Sequence, residues 1–108
     1  MSMTEERYYG GSRDLSTAAD TTIHPQVKRV TVVNATAGGV DLTLPDARRL
    51  RLSMPFFVIN RGTVNGFNVR DNAGGLVSAV ATQSVLYGRL AKNDTQAGTW
   101  AVKVKPLH

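Results

Sequence analysis

The side chains best suited to chemistry are few and scattered. The two histidines are His24, which precedes Pro25, and His108, the last residue, and there is no cysteine. A zinc centre needs about three or four nitrogen, sulfur or oxygen ligands at close quarters. Two distant histidines without a thiolate do not supply them. Ser84, His24 and Asp94 formally make a nucleophilic triad, yet no nucleophile-elbow sequence surrounds the serine. A glycoside-hydrolase pair would be drawn from Asp41, Asp46, Asp71 and Asp94. Each has a plainer role: Asp41 alternates outward on a strand, Asp46 sits in a turn, and Asp71 and Asp94 sit in loops. Asp71-Asn72 and Asn93-Asp94 offer oxygens to calcium, but Asx turns use the same atoms for local backbone groups. Gly74-Gly75 is not followed by the Gly-Lys-Ser or Gly-Lys-Thr of a phosphate loop. The expectation is a protein that is not an enzyme and holds no metal or cofactor.

The elements that would position these residues read as short strands. Val27 to Val33 is β-branched and ends at Asn34. Val40, Leu42 and Leu44 alternate with Asp41 and Thr43, the period of a half-buried strand, and Pro45 stops it. Asp46 to Ser53 has a brief helical flavour. Phe56 to Ile59 is apolar throughout, as in a strand buried on both faces. Phe67 and Val69 alternate with Asn68 and Arg70 before the turn Asp71-Asn72-Ala73-Gly74-Gly75. Leu76 to Ala81 and Ser84 to Ala91 follow, with Gly88 marking a bulge or a close approach. Trp100, Val102 and Val104 alternate at the end, and Trp100 is expected to anchor the core. Six to eight short strands between turns predict an all-β domain, a single small β-sandwich or jelly roll. Residues 1–22, rich in Ser, Thr and Gly, read as an extended or flexible arm, with a short helix around Asp14 to Ala19 as a weak option. The domain is expected to span 23–108.

With 108 residues, one domain is the natural size. The net charge is +5, and the one local basic cluster is Arg48, Arg49 and Arg51. Such a surface suits an acidic protein lattice, because complementary charge orients docking. Single-stranded nucleic acid is the rival partner. Phe56, Phe57, Phe67 and Tyr87 would stack bases, and Arg61, Arg70 and Arg89 would track phosphates. It is the weaker reading, because three of these aromatics lie inside apolar strands. No apolar run approaches the ~20 residues of a membrane span, and the first nine residues carry no apolar signal region. Tyr8 and Tyr9 in the arm are candidate docking anchors.

Four motifs together resemble a family of phage virion modules. They are Leu44-Pro45-Asp46-Ala47; Phe56-Phe57-Val58-Ile59-Asn60-Arg61-Gly62; Val69-Arg70-Asp71-Asn72-Ala73-Gly74-Gly75; and Gly98-Thr99-Trp100. The resemblance covers about residues 27 to 104. It implies a β-sandwich structural module of head decoration (cement) proteins or of tail-fibre and adhesin segments. Pro45, Asp46, Phe56, Phe57, Asn60, Gly62, Asp71, Gly74, Gly75 and Trp100 are then turn formers and core anchors. The implied function is capsid decoration, with a tail-fibre, receptor-binding or adaptor component as the alternative. The implied partners are the major capsid protein and further copies of the chain, as a homotrimer. The implied location is the capsid surface of a virion assembled in the host cytoplasm.

Overall fold

A computed structural model describes residues 12–107. Nine strands and one short 3-10 turn make up its regular structure: β1 (Ser12–Thr17), β2 (Thr21–Thr22), β3 (Val30–Ala35), β4 (Asp41–Thr43), the 3-10 turn (Ala47–Arg49), β5 (Phe56–Asn60), β6 (Phe67–Arg70), β7 (Leu76–Val80), β8 (Ser84–Lys92) and β9 (Thr99–Pro106). The chain is thus nearly all-β, as its alternation predicts, with nine strands rather than six to eight. They form a five-stranded sheet, β1-β3-β5-β8-β9, and a four-stranded sheet, β2-β4-β6-β7.

The order of the strands is the distinctive feature. From β1 to β6 the chain alternates between the sheets, so each strand pairs with the one two places on. β1–β3, β2–β4, β3–β5 and β4–β6 are parallel, and β5–β8, β6–β7 and β8–β9 are antiparallel. The first six strands therefore wind as three turns of a flattened coil, and the last three close it with hairpin-like pairings. A jelly roll is built from antiparallel ladders, and these parallel turns depart from it. The physical reason is that a parallel neighbour needs a crossover, and here the crossover is itself a strand of the opposite sheet.

The two sheets share one core. The five-stranded sheet contributes Val33, Ala35, Phe56, Val58 and Leu86, and the four-stranded sheet contributes Leu42, Phe67, Val69 and Val80. The period-two pattern read at Val40–Leu44 and Phe67–Arg70 is the burial pattern observed: Leu42 and Val69 are buried, and Asp41, Thr43, Asn68 and Arg70 lie on the other face. Trp100 differs from its expected role. It is half-buried on the edge strand β9 and meets Phe56 edge-to-face with ring centroids 5.7 Å apart. An edge strand has a neighbour on one side only, so its largest side chain keeps one flank open. The fully enclosed aromatic is Phe56, and it explains Gly88. A Cβ at Gly88 would lie 2.6 Å from Phe56 Cζ. Gly88 thus marks a close approach, and the register shift in β8 falls instead between Leu90 and Lys92.

The polar segment before Ile23 is built into both sheets over its described part. Ser12–Thr17 pairs in register with Val30–Ala35, and Thr21–Thr22 pairs with Leu42–Thr43. The helix considered around Asp14 to Ala19 is a strand at its start. Its Ser, Thr and Arg residues extend because the free edge of β3 offers backbone partners. Tyr8 and Tyr9 lie outside the described residues.

Candidate functional site

Four connections meet at one end of the domain: 23–29, 44–55, 71–75 and 93–98. Their contacts run from side-chain amides to backbone. Gln26 Nε2 donates to the Arg51 carbonyl at 2.6 Å, and its Oε1 accepts from the Arg51 N–H at 2.9 Å. Asn72 Nδ2 donates to the Leu44 carbonyl, and Gln96 Nε2 donates to Asn72 Oδ1 at 2.6 Å. Asn93 Nδ2 donates to the Leu50 carbonyl, and the Ala47 N–H donates to the Gln96 carbonyl. Gly98 packs so closely on Ala47 that no Cβ fits there. Loops held in this way form a firm platform.

Leu44-Pro45-Asp46-Ala47 shapes the centre of that platform. Pro45 follows β4 after one intervening residue, and Asp46 caps the 3-10 turn by accepting from the Arg48 N–H at 3.0 Å. The same carboxylate takes the Arg48 side chain in two-point fashion, from Nε at 3.0 Å and Nη2 at 2.7 Å. The guanidinium holds the Asp46 pKa down to about 2, and the carboxylate in turn raises that of Arg48. Arg48 is thus already engaged. Arg49 and Arg51 are exposed and take part in no salt bridge among the described residues. A groove of about 540 Å³ runs beside them, lined by His24, Gln26, Pro45, Asp46, Arg49 and Asn72 among others. Leu52 and Val27, 47% and 63% exposed, add apolar surface at the same end.

The other predicted anchors divide by position. Asp71 is a turn former: its Oδ1 accepts from the N–H groups of Ala73 and Gly75 at 2.9 Å, and Gly74 takes a φ of +91° that favours glycine. Asn60 and Gly62 lie at the opposite end. The Asn60 side chain is buried, donates to the Asn65 and Val80 carbonyls, and accepts from the Gly62 N–H at 2.9 Å. A Cβ at Gly62 would sit 2.9 Å from Asn34 Oδ1, which accounts for the Asn-x-Gly spacing. Phe56 is in the core, whereas Phe57 faces outward and packs edge-to-face on Tyr87 at 5.1 Å. Ser84 and Asp94 stand near opposite ends of the nine-residue β8 and do not form a triad with His24. Among the described residues no three of His, Cys, Asp and Glu cluster to hold a metal ion.

Of the bracing amides, Asn72 and Asn93 stand out in the sequence only as turn residues or calcium ligands, and Gln26 and Gln96 do not stand out. Their partners lie 24 to 43 residues away, beyond any local pattern. No protein family, curated protein or solved structure matches the chain.

Proposed function

We propose that the chain is a non-enzymatic phage structural protein, a head decoration protein that sits over junctions between capsid subunits. In this reading the two sheets form a β-sandwich that acts as a rigid body, and the braced loop end makes the contact. The observation that carries it is the pairing of exposed arginines with apolar surface on a firm platform: Arg49 and Arg51 stand beside Leu52 and Val27. Arginine forks pair two-point with carboxylates, and exposed apolar side chains beside them favour a protein over a solvent neighbour. The resemblance of the four motifs to those of phage virion modules suggests the choice of partner, the major capsid protein. Binding that prefers the assembled shell stabilises it by mass action.

The test is a variant with Arg48, Arg49 and Arg51 all changed to Ala, assayed for occupancy on DNA-filled and DNA-free shells. Equal loss on both supports a protein partner. Unchanged occupancy removes this end from the interface.

A second reading, single-stranded nucleic-acid binding, has one observation behind it. Phe57 and Tyr87 lie on the outer face of the five-stranded sheet, and Lys105 Nζ lies 6.0 Å from the Tyr87 ring centroid. Arg89 lines the depression beside Tyr87 on this face, whereas Phe56 and Phe67 are in the core and Arg70 pairs with Asp41 at 3.1 Å on the other sheet. A steep salt dependence of binding to mixed oligonucleotides would establish this reading over the first.

A further inference from the structure

Each sheet ends in two strands that have a described neighbour on one side only: β1 and β9 in the larger sheet, β2 and β7 in the smaller. The longest of these edges is β9, with eight residues. Its backbone groups alternate in direction. The Leu107 N–H donates to the Gln83 carbonyl, toward β8, so Lys105, Lys103 and Ala101, at steps of two, also turn toward β8. The Leu90 carbonyl agrees, because it accepts from the Ser53 N–H ahead of β5 and not from Trp100, which stands opposite it. Trp100, Val102 and Val104 therefore aim their N–H and C=O groups out of the edge, where no described strand pairs with them. An open edge of this length is a template for another strand.

The side chains along this edge are apolar on one face and basic on the other. Trp100 and Val102 pack against the core, and Val104 is 37% exposed. A groove of about 240 Å³ opens beside them, lined by Asp71, Leu76, Val77 and Trp100 among others. Ala101, Lys103 and Lys105 are exposed on the outer face.

We propose that this edge pairs with the β9 edge of a second copy, antiparallel about a two-fold axis at Val102, so that two five-stranded sheets become one continuous sheet. A two-fold contact must be complementary to itself, and one register makes β9 so. Val102 meets Val102 of the second copy, and Trp100 meets Val104 in both directions. Each of these pairs exchanges two backbone hydrogen bonds. Val104 of the second copy then covers the open flank of Trp100. On the outer face Lys103 stands opposite Ala101, and Lys105 opposite Thr99, so no lysine opposes another. Lysine and proline commonly block edge pairing. Here they select the register. Slid by one pair in one sense, Lys103 meets Lys103, and Pro106, which has no N–H, falls opposite Trp100. Slid in the other sense, Val104 lies opposite Gly98, ahead of the first residue of the strand. The contact closes at two copies, not at the three that the virion resemblance implies.

Sedimentation of the whole chain over a concentration series should show a monomer–dimer equilibrium. The emission of Trp100, the single tryptophan, should shift to shorter wavelength along the same curve. Ala101 is exposed, so changes there leave the core intact, and each dimer contains the Ala101–Lys103 contact twice. Ala101→Lys should raise the dimer Kd roughly fivefold or more, and Ala101→Glu should lower it by a similar factor. The chain has no cysteine, so single cysteines report the register. Under mild oxidation Val102→Cys should give a disulfide-linked dimer, since paired Cα atoms there lie within disulfide reach. Lys105→Cys should not, because its two copies stand roughly 20 Å apart. A chain that stays monomeric at millimolar concentration overturns the proposal, as does a closed trimer. A dimer that responds alike to Lys and Glu at position 101, or cross-links equally through both cysteines, also overturns it and places the contact on another surface.

Discussion

The outer faces of the two sheets are built on the same mixed backbone plan, parallel turns closed by antiparallel strands, and finished in opposite ways. On the four-stranded sheet, Asp41, Thr43, Asn68 and Arg70 point outward, and the Asp41 carboxylate sits between Arg70 Nε at 3.1 Å and Asn68 Nδ2 at 3.3 Å. That face satisfies its own polar groups and is content in water. On the five-stranded sheet the corresponding positions hold Val30, Val32, Phe57, Ile59, Val85 and Tyr87. A sheet with one solvated face alternates apolar and polar residues, whereas a sheet covered on both faces reads as continuous apolar runs. Phe56-Phe57-Val58-Ile59 is such a run, and on its second face Phe57 and Ile59 are half-buried, Val85 is buried and Tyr87 is exposed.

The largest effect should come from the core that both faces share. Phe56→Ala is expected to cost about 3–5 kcal/mol, the range for enclosed aromatics, measured by denaturant unfolding. Trp100→Ala should cost less, because β9 leaves the indole half-exposed. Equal costs would mean that Trp100 is more enclosed than its edge position allows.

The next effect separates the faces directly. Ile59→Lys is expected to lose about 1–2 kcal/mol, since it strips apolar burial from a face that needs it. Asn68→Lys, on the water-adapted face, should fall within about ±0.5 kcal/mol. Matching losses in thermal or denaturant unfolding would erase the contrast. A smaller effect is expected from the ion pair that marks the polar face. Asp41→Asn should cost about 0–1 kcal/mol, falling further as salt is raised.

The smallest effect is electrostatic and local to the loop end. Asp46 is held at about 2 against an ordinary 3.8, chiefly by the hydrogen bond from the Arg48 side chain. A depressed carboxylate contributes stability above its unfolded pKa and loses it as pH falls through the folded value. The contribution is therefore complete above about pH 4 and gone below about pH 2. Carboxyl NMR titration should place Asp46 near the low value, and Arg48→Ala should return it toward the ordinary one.

Much of this was legible in the residues, and the gaps have physical causes. Alternation at Val40–Leu44 and Phe67–Arg70 reports burial directly, because side chains in a strand point to opposite faces. Asn60-x-Gly62 and Asp71-x-x-Gly74-Gly75 announce turns whose hydrogen bonds close within a few residues. Strand pairing is different. Parallel and antiparallel strands alternate identically, and the partner of Val30 is Phe57, 27 residues on. β1 was hidden because Ser12–Thr17 has little apolar content, and its extended form comes from the edge of β3. The bracing contacts of the amides are hidden in the sequence for the same reason of distance. The arginine cluster is visible in the sequence, but only the geometry separates engaged Arg48 from exposed Arg49 and Arg51.

The alternation of β1 to β6 between sheets also governs how the molecule comes apart. No single break in the chain within that stretch yields one sheet on one fragment and the other sheet on the second, because each sheet is threaded through the other's connections. Loosening β3 exposes β1 and β5 in its own sheet and frees the ends of β2 and β4 in the other. Secondary-structure and aromatic signals should therefore disappear in one transition, without a half-folded plateau. The same threading delays assembly, because each parallel pairing waits for a distant segment to arrive.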